Sequence, residues 1–359
     1  MLTIPQLTSN LLVQLNQATD RTFALPILIF FPTARCNSHC VSCDWWKADG
    51  AGDLTLDEIR RLTDELPALR TRLVTFSGGE PTVRRDMYAI AALFRARGVK
   101  LHLLTSGLSL ERDAAAIVEH FEQVTISLDG PTAEQYEQIR GVSGLRAIER
   151  GVTKVKTLSP RTPVRARSTL HRYNFTELPH LIDKAHAMGL DGISFLAADV
   201  TSEAFGRASA PDGSGSAAGT SLRTASSMRG LLLNHDEVEE FARVVEAAIV
   251  SHRADFESRF VAEAPDKLRR LPRYYVAQHG RGAFPAVRCN APWASAVVEA
   301  DGAVRPCYFH RVVGNIREKS LRELLAHEMV AFRSGLNVAQ DATCRRCVCT
   351  LQVGLRTPT

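Results

Sequence analysis

The chain has no apolar run near the roughly 18 residues that a membrane-spanning helix needs. Its opening stretch, Met1 to Ala24, sets no basic segment ahead of an apolar one and so does not read as a secretion signal. Basic residues never gather into one long run. Arg-Arg pairs fall at 60–61, 84–85, 269–270 and 345–346, and the net charge over 359 residues is +5. The expectation is a protein with no membrane span and no nucleic-acid partner. No internal repeat stands out beyond the strand–helix alternation described below. What is present is a composition of 45% hydrophobic and 23% charged residues, which suits a soluble globular chain of about two domains. Eight cysteines without a secretion signal point to reduced thiols that bind metal in a reducing cytoplasm, rather than to disulfides.

A short apolar run, a turn and a longer amphipathic stretch recur six times. The apolar runs cover 25–31, 73–76, 100–104, 123–128, 164–170 and 192–196, and helical stretches such as 55–65, 85–97, 110–120, 145–157 and 176–188 lie between them. A lead-in helix is expected within 4–20. Thr55, with Glu58 three residues on, is a capping-box start. This alternation predicts an α/β fold with a parallel sheet and helices outside. Parallel barrels place their chemistry at the carboxyl ends of the strands. The unusual residues of this chain fall there: a cysteine loop after the first run, Gly78-Gly79-Glu80 after the second and Thr105-Ser106 after the third. Asp129-Gly130 follows the fourth, His171-Arg172 the fifth and Asp199 the sixth.

Cys36, Cys40 and Cys43 form a C-x3-C-x2-C loop. Three thiolates on one tight loop can hold three irons of a cubane cluster and leave the fourth open, as a catalytic metal site requires. A zinc knuckle completed by His39 is the plainer alternative. The segment Ala34-Arg35-Cys36-Asn37-Ser38-His39-Cys40-Val41-Ser42-Cys43 resembles the cluster loop of radical S-adenosylmethionine (radical SAM) enzymes. Thr75-Phe76-Ser77-Gly78-Gly79-Glu80-Pro81 is similar to that family's glycine-rich SAM-binding strand end. Ile126-Ser127-Leu128-Asp129-Gly130-Pro131 and Ile139-Arg140-Gly141-Val142 resemble the segment after its fourth strand. The resemblance covers about residues 25–200 and implies a partial (β/α)6 TIM-like barrel, a [4Fe-4S] cluster with an open iron, and bound SAM.

The resemblance also implies site residues. Ser77, Gly78, Gly79 and Glu80 would bind the methionine amino group, the glycines by letting backbone approach the ligand and Glu80 by accepting from the ammonium. Ser127 and Asp129 would reach the ribose or carboxylate, with Thr105 and Ser106 as further polar contacts; ordinary turn roles remain open for these four. Arg165, Arg167 and Thr169 alternate along the fifth strand and share a face; if it points inward, an arginine such as Arg167 pairs with the SAM carboxylate. The family's aromatic before the third cysteine is here Ser42, and Trp45 or Trp46 is left to supply that surface or to pack in the core.

A second cysteine set begins with Cys289 and Cys307 around Gly302, as C-x12-G-x4-C, and ends with Cys344-Arg345-Arg346-Cys347-Val348-Cys349. It resembles the auxiliary-cluster extensions called SPASM and, in shorter form, twitch, over about 285–352. With three thiolates assigned to the SAM cluster, five remain, enough for one auxiliary [4Fe-4S] cluster on Cys289, Cys307, Cys344 and Cys347. Cys349 is left over, and zinc on the same four thiolates is the alternative. The expected layout is a lead-in at 1–24, the barrel at 25–205, a flexible Gly/Ser/Ala-rich loop or substrate lid at 206–230, a helical connector at 231–284 and the small auxiliary-cluster domain at 285–359.

The implied reaction is reductive cleavage of SAM to a 5′-deoxyadenosyl radical, fed by a flavodoxin- or ferredoxin-type donor, with hydrogen abstraction from substrate. The expected substrate is a small metabolite (sugar, nucleoside or aminoglycoside-like) that is oxidised or epimerised. A ribosomally made peptide is the alternative, set second because only about 24 residues precede the first strand. A non-catalytic iron–sulfur carrier or redox sensor is a third reading, which Gly-Gly-Glu-Pro argues against.

Overall fold

Alternation of apolar residues sets the first strand of the sheet, β1 (Ile27–Phe30), whose Leu28 and Phe30 are fully buried among the outer helices. A computed structural model of the chain describes residues 4–202, 204–207 and 228–357. Five more strands follow at the expected apolar runs: β2 (Leu73–Phe76), β3 (Lys100–Thr105), β4 (Gln123–Ser127), β5 (Val164–Leu170) and β6 (Ile193–Ala197). All pair in parallel with their sequence neighbours, in the order β6-β5-β4-β3-β2-β1. Each of β2, β3, β5 and β6 carries a buried–half-buried alternation, so one face packs on helices and the other lines the barrel interior.

The helices start and stop where local chemistry directs. After α1 (Ile4–Thr19), α2 (Leu56–Glu65) begins on the Thr55–Glu58 capping box, and both of its reciprocal bonds are made. Then come α3 (Met87–Arg95), α4 (Leu110–His120), α5 (Ala133–Arg140), α6 (Leu145–Leu158) and α7 (Leu178–Ala187). Within the expected helical connector, the stretch 235–258 forms two helices rather than one, α8 (His235–Ser251) and α9 (Arg253–Glu257). His252 leaves helical geometry between them, and its ring lies 3.1 Å from Asp255. The short α10 (Pro265–Leu268) leads to α11 (Arg270–Gln278), whose Tyr275 hydroxyl donates to Leu170 O at the end of β5 and accepts from Ala198 N after β6. The segment around Val261 bridges to Ile193 at the start of β6, and Glu263 accepts from Phe195 N, so the first part of this outer sheet edge is covered. The loop expected over 206–230 lies outside the described residues except for its ends.

One feature of the sheet was not expected. After α12 (Ala291–Ala294), β7 (Ser295–Val298) is buried at all four residues and pairs in parallel with β1, Ile27 opposite Ser295 through Phe30 opposite Val298. β8 (Ala303–Arg305) and β9 (Gly314–Asn315) continue antiparallel. The cysteine-rich end is therefore an extension of the barrel sheet beyond β1. Three short helices close this end, α13 (Leu321–Ala326), α14 (Glu328–Ser334) and α15 (Ala342–Arg345). Helix α1 packs here too: Asn16 donates to Trp293 O, and Val13 is buried with Ala294 and Val353. Among the described residues no helix is long and apolar enough to cross a membrane.

Candidate active site

Four segments hold the three-cysteine loop after β1. At its start, Asp53 accepts from the Thr33 hydroxyl (2.5 Å) and from Ala34 N (3.0 Å). The turn after β2 then bonds it backbone to backbone, Gly79 N to Thr33 O at 3.2 Å and Glu80 N to Arg35 O at 2.7 Å. A Cβ on Gly79 would sit 2.1 Å from Arg35 O, so the close approach that requires glycine is to the cysteine loop itself. From a third side, the end of α5 supplies Arg140 O to His39 N (2.9 Å) and Ile139 O to Val41 N (3.0 Å). The Ile-Arg-Gly motif thus has a mechanical role, and Gly141 leaves room for His39 O, which a Cβ would approach to 2.6 Å. The fourth segment follows β6: Phe205 O accepts from Asp44 N (2.9 Å), and Arg207 donates to Ser42 O (2.9 Å). Arg207 is in turn paired at 2.9 Å with Asp199, both side chains nearly fully buried.

Every residue assigned to the SAM site lines one cavity of about 230 Å³ at the carboxyl ends of the strands: the three cysteines, Ser77, Gly78, Gly79, Glu80, Thr105, Ser106, Ser127, Asp129 and Arg167. The side chains differ in what they are free to do. Glu80 is 1% exposed, and its carboxylate accepts from Thr82 N (3.1 Å), the Thr82 hydroxyl (2.7 Å), the Thr105 hydroxyl (2.8 Å) and Ser106 N (2.5 Å). Three of these reach Oε1 and one reaches Oε2, so at most one lone pair, on Oε2, is left for an ammonium group. Asp129 is similarly engaged, by Thr169 N (2.8 Å) and by Arg140 (3.1 Å). Arg167 and Thr169 do face the cavity; Arg167 makes a long 3.3 Å bond to Ser194 and no close ion pair among the described residues, with the buried Glu263 carboxylate near enough to feel its charge. Arg165 is not on the lining. Of the two tryptophans, Trp45 lines the cavity and meets Phe31 edge-on at 5.7 Å, whereas Trp46 is 39% exposed against His39. His171 is fully buried but lies off the cavity lining.

The donor set suits a cluster. All three thiols are free of disulfides. Burial pushes Cys36 up to about 11 and Cys43 up to about 12, and raises Cys40 as well. Thiolates here need a compensating positive charge, as bound iron provides. Arg140 adds to it: burial opposes its charge, but the Cys40 thiolate and the Asp129 carboxylate outweigh that and hold its guanidinium well above its ordinary value. Arg140 and Arg207 were not assigned roles from sequence. The first lay within a quoted motif, and the second has no local signal.

All five remaining cysteines line a second, largely apolar cavity of about 80 Å³, together with Tyr308, Phe309 and His310. Burial pushes Cys307 up to about 11 and raises Cys344 and Cys347. His310 Nε2 lies 3.2 Å from Cys344 Sγ, and these two and Asp341 offer ligand atoms within 4.8 Å of one another. Cys349, expected to be spare, lines this pocket and the first cavity alike, as do Tyr308 and Phe309. These three residues are the wall between the sites.

A parallel partial barrel with an incompletely ligated three-cysteine loop at its mouth, beside a second cysteine pocket, defines a class of iron–sulfur radical enzymes. The comparisons with known proteins agree. Residues 30–196 match the radical SAM superfamily and residues 289–348 match SPASM, an iron-sulfur cluster-binding domain. The chain belongs to the radical SAM superfamily and carries a C-terminal SPASM domain, so its cofactors are a [4Fe-4S] cluster, SAM and auxiliary iron–sulfur. It is similar to Fe-coproporphyrin III synthase of Methanosarcina barkeri, 26% identical over 339 residues, with 90% of this chain and 80% of that protein covered. It is also similar to PqqA peptide cyclase of Rhodopseudomonas palustris, 30% identical over 185 residues, 50% of this chain and 49% of that one. The chain spans about half the length of several of the curated relatives it matches. Among solved structures, Streptococcus suis SuiB bound to precursor peptide SuiA superposes with a TM-score of 0.60 at 12% identity, covering 95% of this chain and 74% of that one. At that identity the likeness shows the fold.

Proposed function

We propose that this radical SAM enzyme modifies a peptide by hydrogen abstraction and passes the electron left behind to the auxiliary site. The observation that carries this is the shared wall: Tyr308, Phe309 and Cys349 line both cavities, so a substrate over the SAM site lies one residue layer from the second cysteine set. When bound, the cofactors supply reductive cleavage of SAM, hydrogen abstraction by the resulting deoxyadenosyl radical, and an acceptor for the substrate's electron. The chain's own residues orient and enclose. Arg167, facing the cavity with no close ion pair among the described residues, pairs with the SAM carboxylate; Trp45 offers an aromatic surface where Ser42 offers none; and the Asp199–Arg207 pair holds the cysteine loop against the end of β6.

Substrate class is argued from the relatives. A peptide is supported by the similarity to a peptide cyclase and by an architecture shared with a precursor-peptide complex over nearly the whole chain. The expected sugar, nucleoside or aminoglycoside-like metabolite takes second place to it. A tetrapyrrole is the other reading, favoured by the alignment of 90% of this chain with Fe-coproporphyrin III synthase. The test is anaerobic incubation of reconstituted protein with SAM, dithionite and either peptides encoded beside its gene or iron-coproporphyrin III, read by mass spectrometry. A peptide that accelerates 5′-deoxyadenosine release and changes mass supports the proposal. Inert peptides beside a modified porphyrin transfer the assignment to the tetrapyrrole reading, and no 5′-deoxyadenosine under any condition overturns both.

A further inference from the structure

Tyr308 stands between the two cysteine sites. It directly follows Cys307, lines both cavities, and packs its ring 5.6 Å from Phe31 and 6.0 Å from Phe205. Its hydroxyl lies 2.5 Å from the hydroxyl of Ser77, at the turn after β2 that the SAM reading uses. Either hydroxyl can donate in this bond; a phenol is a stronger acid than an aliphatic alcohol, which favours Tyr308 as donor and Ser77 as acceptor. The Ser77 proton is thereby left to point elsewhere, and Ser77 lines the cavity.

The backbone makes this bond a mechanical link. Cys307 and Tyr308 follow β8, β8 pairs with β7, and β7 pairs residue for residue with β1, which pairs with β2 and accepts at Phe30 O from Ser77 N (2.9 Å). A metal that fixes Cys307 therefore fixes the neighbouring tyrosine within a single continuous sheet. We infer that Tyr308 is a positioning residue that couples the auxiliary cysteine pocket to the SAM site by holding the Ser77 hydroxyl. This rests on the reading of the first cavity as the SAM site. Coupling of this kind is reciprocal: a loaded auxiliary pocket tightens SAM binding, and bound SAM favours the loaded pocket. One neutral hydrogen bond sets the scale at about two- to tenfold in SAM affinity.

The test is a cycle on the full chain, anaerobically reconstituted, with SAM affinity measured by equilibrium dialysis. The proteins are wild type, Cys344→Ala/Cys347→Ala (auxiliary pocket stripped), Tyr308→Phe, and all three changes together. Stripping is expected to weaken SAM binding about two- to tenfold with Tyr308 present and less than about twofold in the Tyr308→Phe background. An equal effect in both backgrounds, or none in the wild-type background, overturns the coupling. Wild type that binds no SAM refutes the reading of the cavity instead. If the stripped chain does not fold, a Ser77→Ala and Tyr308→Phe cycle on loaded protein decides alone. The double variant should bind SAM as weakly as either single, with equal melting midpoints and the same reduced perturbation of the cluster EPR signal by SAM, and additive losses overturn the proposal.

Discussion

Glu80→Gln separates two roles that a Gly-Gly-Glu motif leaves entangled. The sequence suggests a carboxylate aimed at the SAM ammonium; the structure shows one buried to 1% and accepting four internal hydrogen bonds. Those bonds tie the turn after β2 to Thr105 and Ser106 at the end of β3, so the carboxylate clips two adjacent strand ends together. An amide has one acceptor where the carboxylate has two. With its nitrogen on the Oε2 side it faces Ser106 N, and on the Oε1 side it faces Thr82 N. Either way a buried backbone donor loses its acceptor, at a cost of about 1–3 kcal/mol, and the surviving bonds lose their charge assistance at about 0.5–1 kcal/mol each. The expected loss is about 3–5 kcal/mol of folding stability. It should appear as a lowered urea midpoint in anaerobic protein, with weaker SAM binding following from the displaced turn. A variant within about 1 kcal/mol of wild type that has nevertheless lost SAM would refute this reasoning and return Glu80 to the ligand.

Four further outcomes follow from the same contacts. Gly79→Ala drives a Cβ to 2.1 Å from Arg35 O, so the cysteine loop must move; iron analysis should show the SAM-cluster iron lost while auxiliary iron stays. Replacing Cys36, Cys40 and Cys43 together with alanine should leave one cluster, about four irons per chain, and zinc in its place would remove the electron acceptor from the proposed function. Arg207→Met leaves the buried Asp199 carboxylate to the Thr201 and Ser202 donors without its counter-charge and frees Ser42 O, at an expected cost of about 3 kcal/mol by denaturant melt, whereas an exposed pair would cost under about 1 kcal/mol. His171 is fully buried, and burial pushes its imidazole down to about 4. The unfolded chain takes up that proton near pH 6.5, so the stability is present above about pH 6.5 and is lost as pH falls to about 4, by up to about 3 kcal/mol. His171→Gln should flatten this limb, and an unchanged slope would place the acid sensitivity elsewhere.

The strands and the motif residues were legible because their signals are local. Leu73–Phe76 and Val164–Leu170 lie where the apolar runs placed them, and Thr55 with Glu58 marks the start of α2 from three residues' spacing. A rim built from strand ends inherits that legibility, which is why all twelve assigned SAM-site residues share one cavity. The supports were not legible, because each is made by partners far apart in the chain. Ser77 and Tyr308 are 231 positions apart, and Ser42 and Arg207 are 165 apart. β7 is followed after four residues by another strand, so it falls outside the strand–helix alternation that marked β1 to β6, and its register comes from β1 at the other end of the sequence. Helix α5 was missed for a related reason: only Tyr136 and Ile139 are buried in it, so it has almost no apolar stripe to read. Yet its last turn gives two carbonyl bonds to the cysteine loop and sets the Arg140 guanidinium on Asp129, where its charge reaches Cys40. A motif fixes which atoms do the chemistry, whereas the position of those atoms depends on contacts that form only when the sheet closes. Substitutions at Arg140, Arg207 or Tyr308 should therefore alter cluster and SAM geometry while every motif cysteine and glycine stays in place.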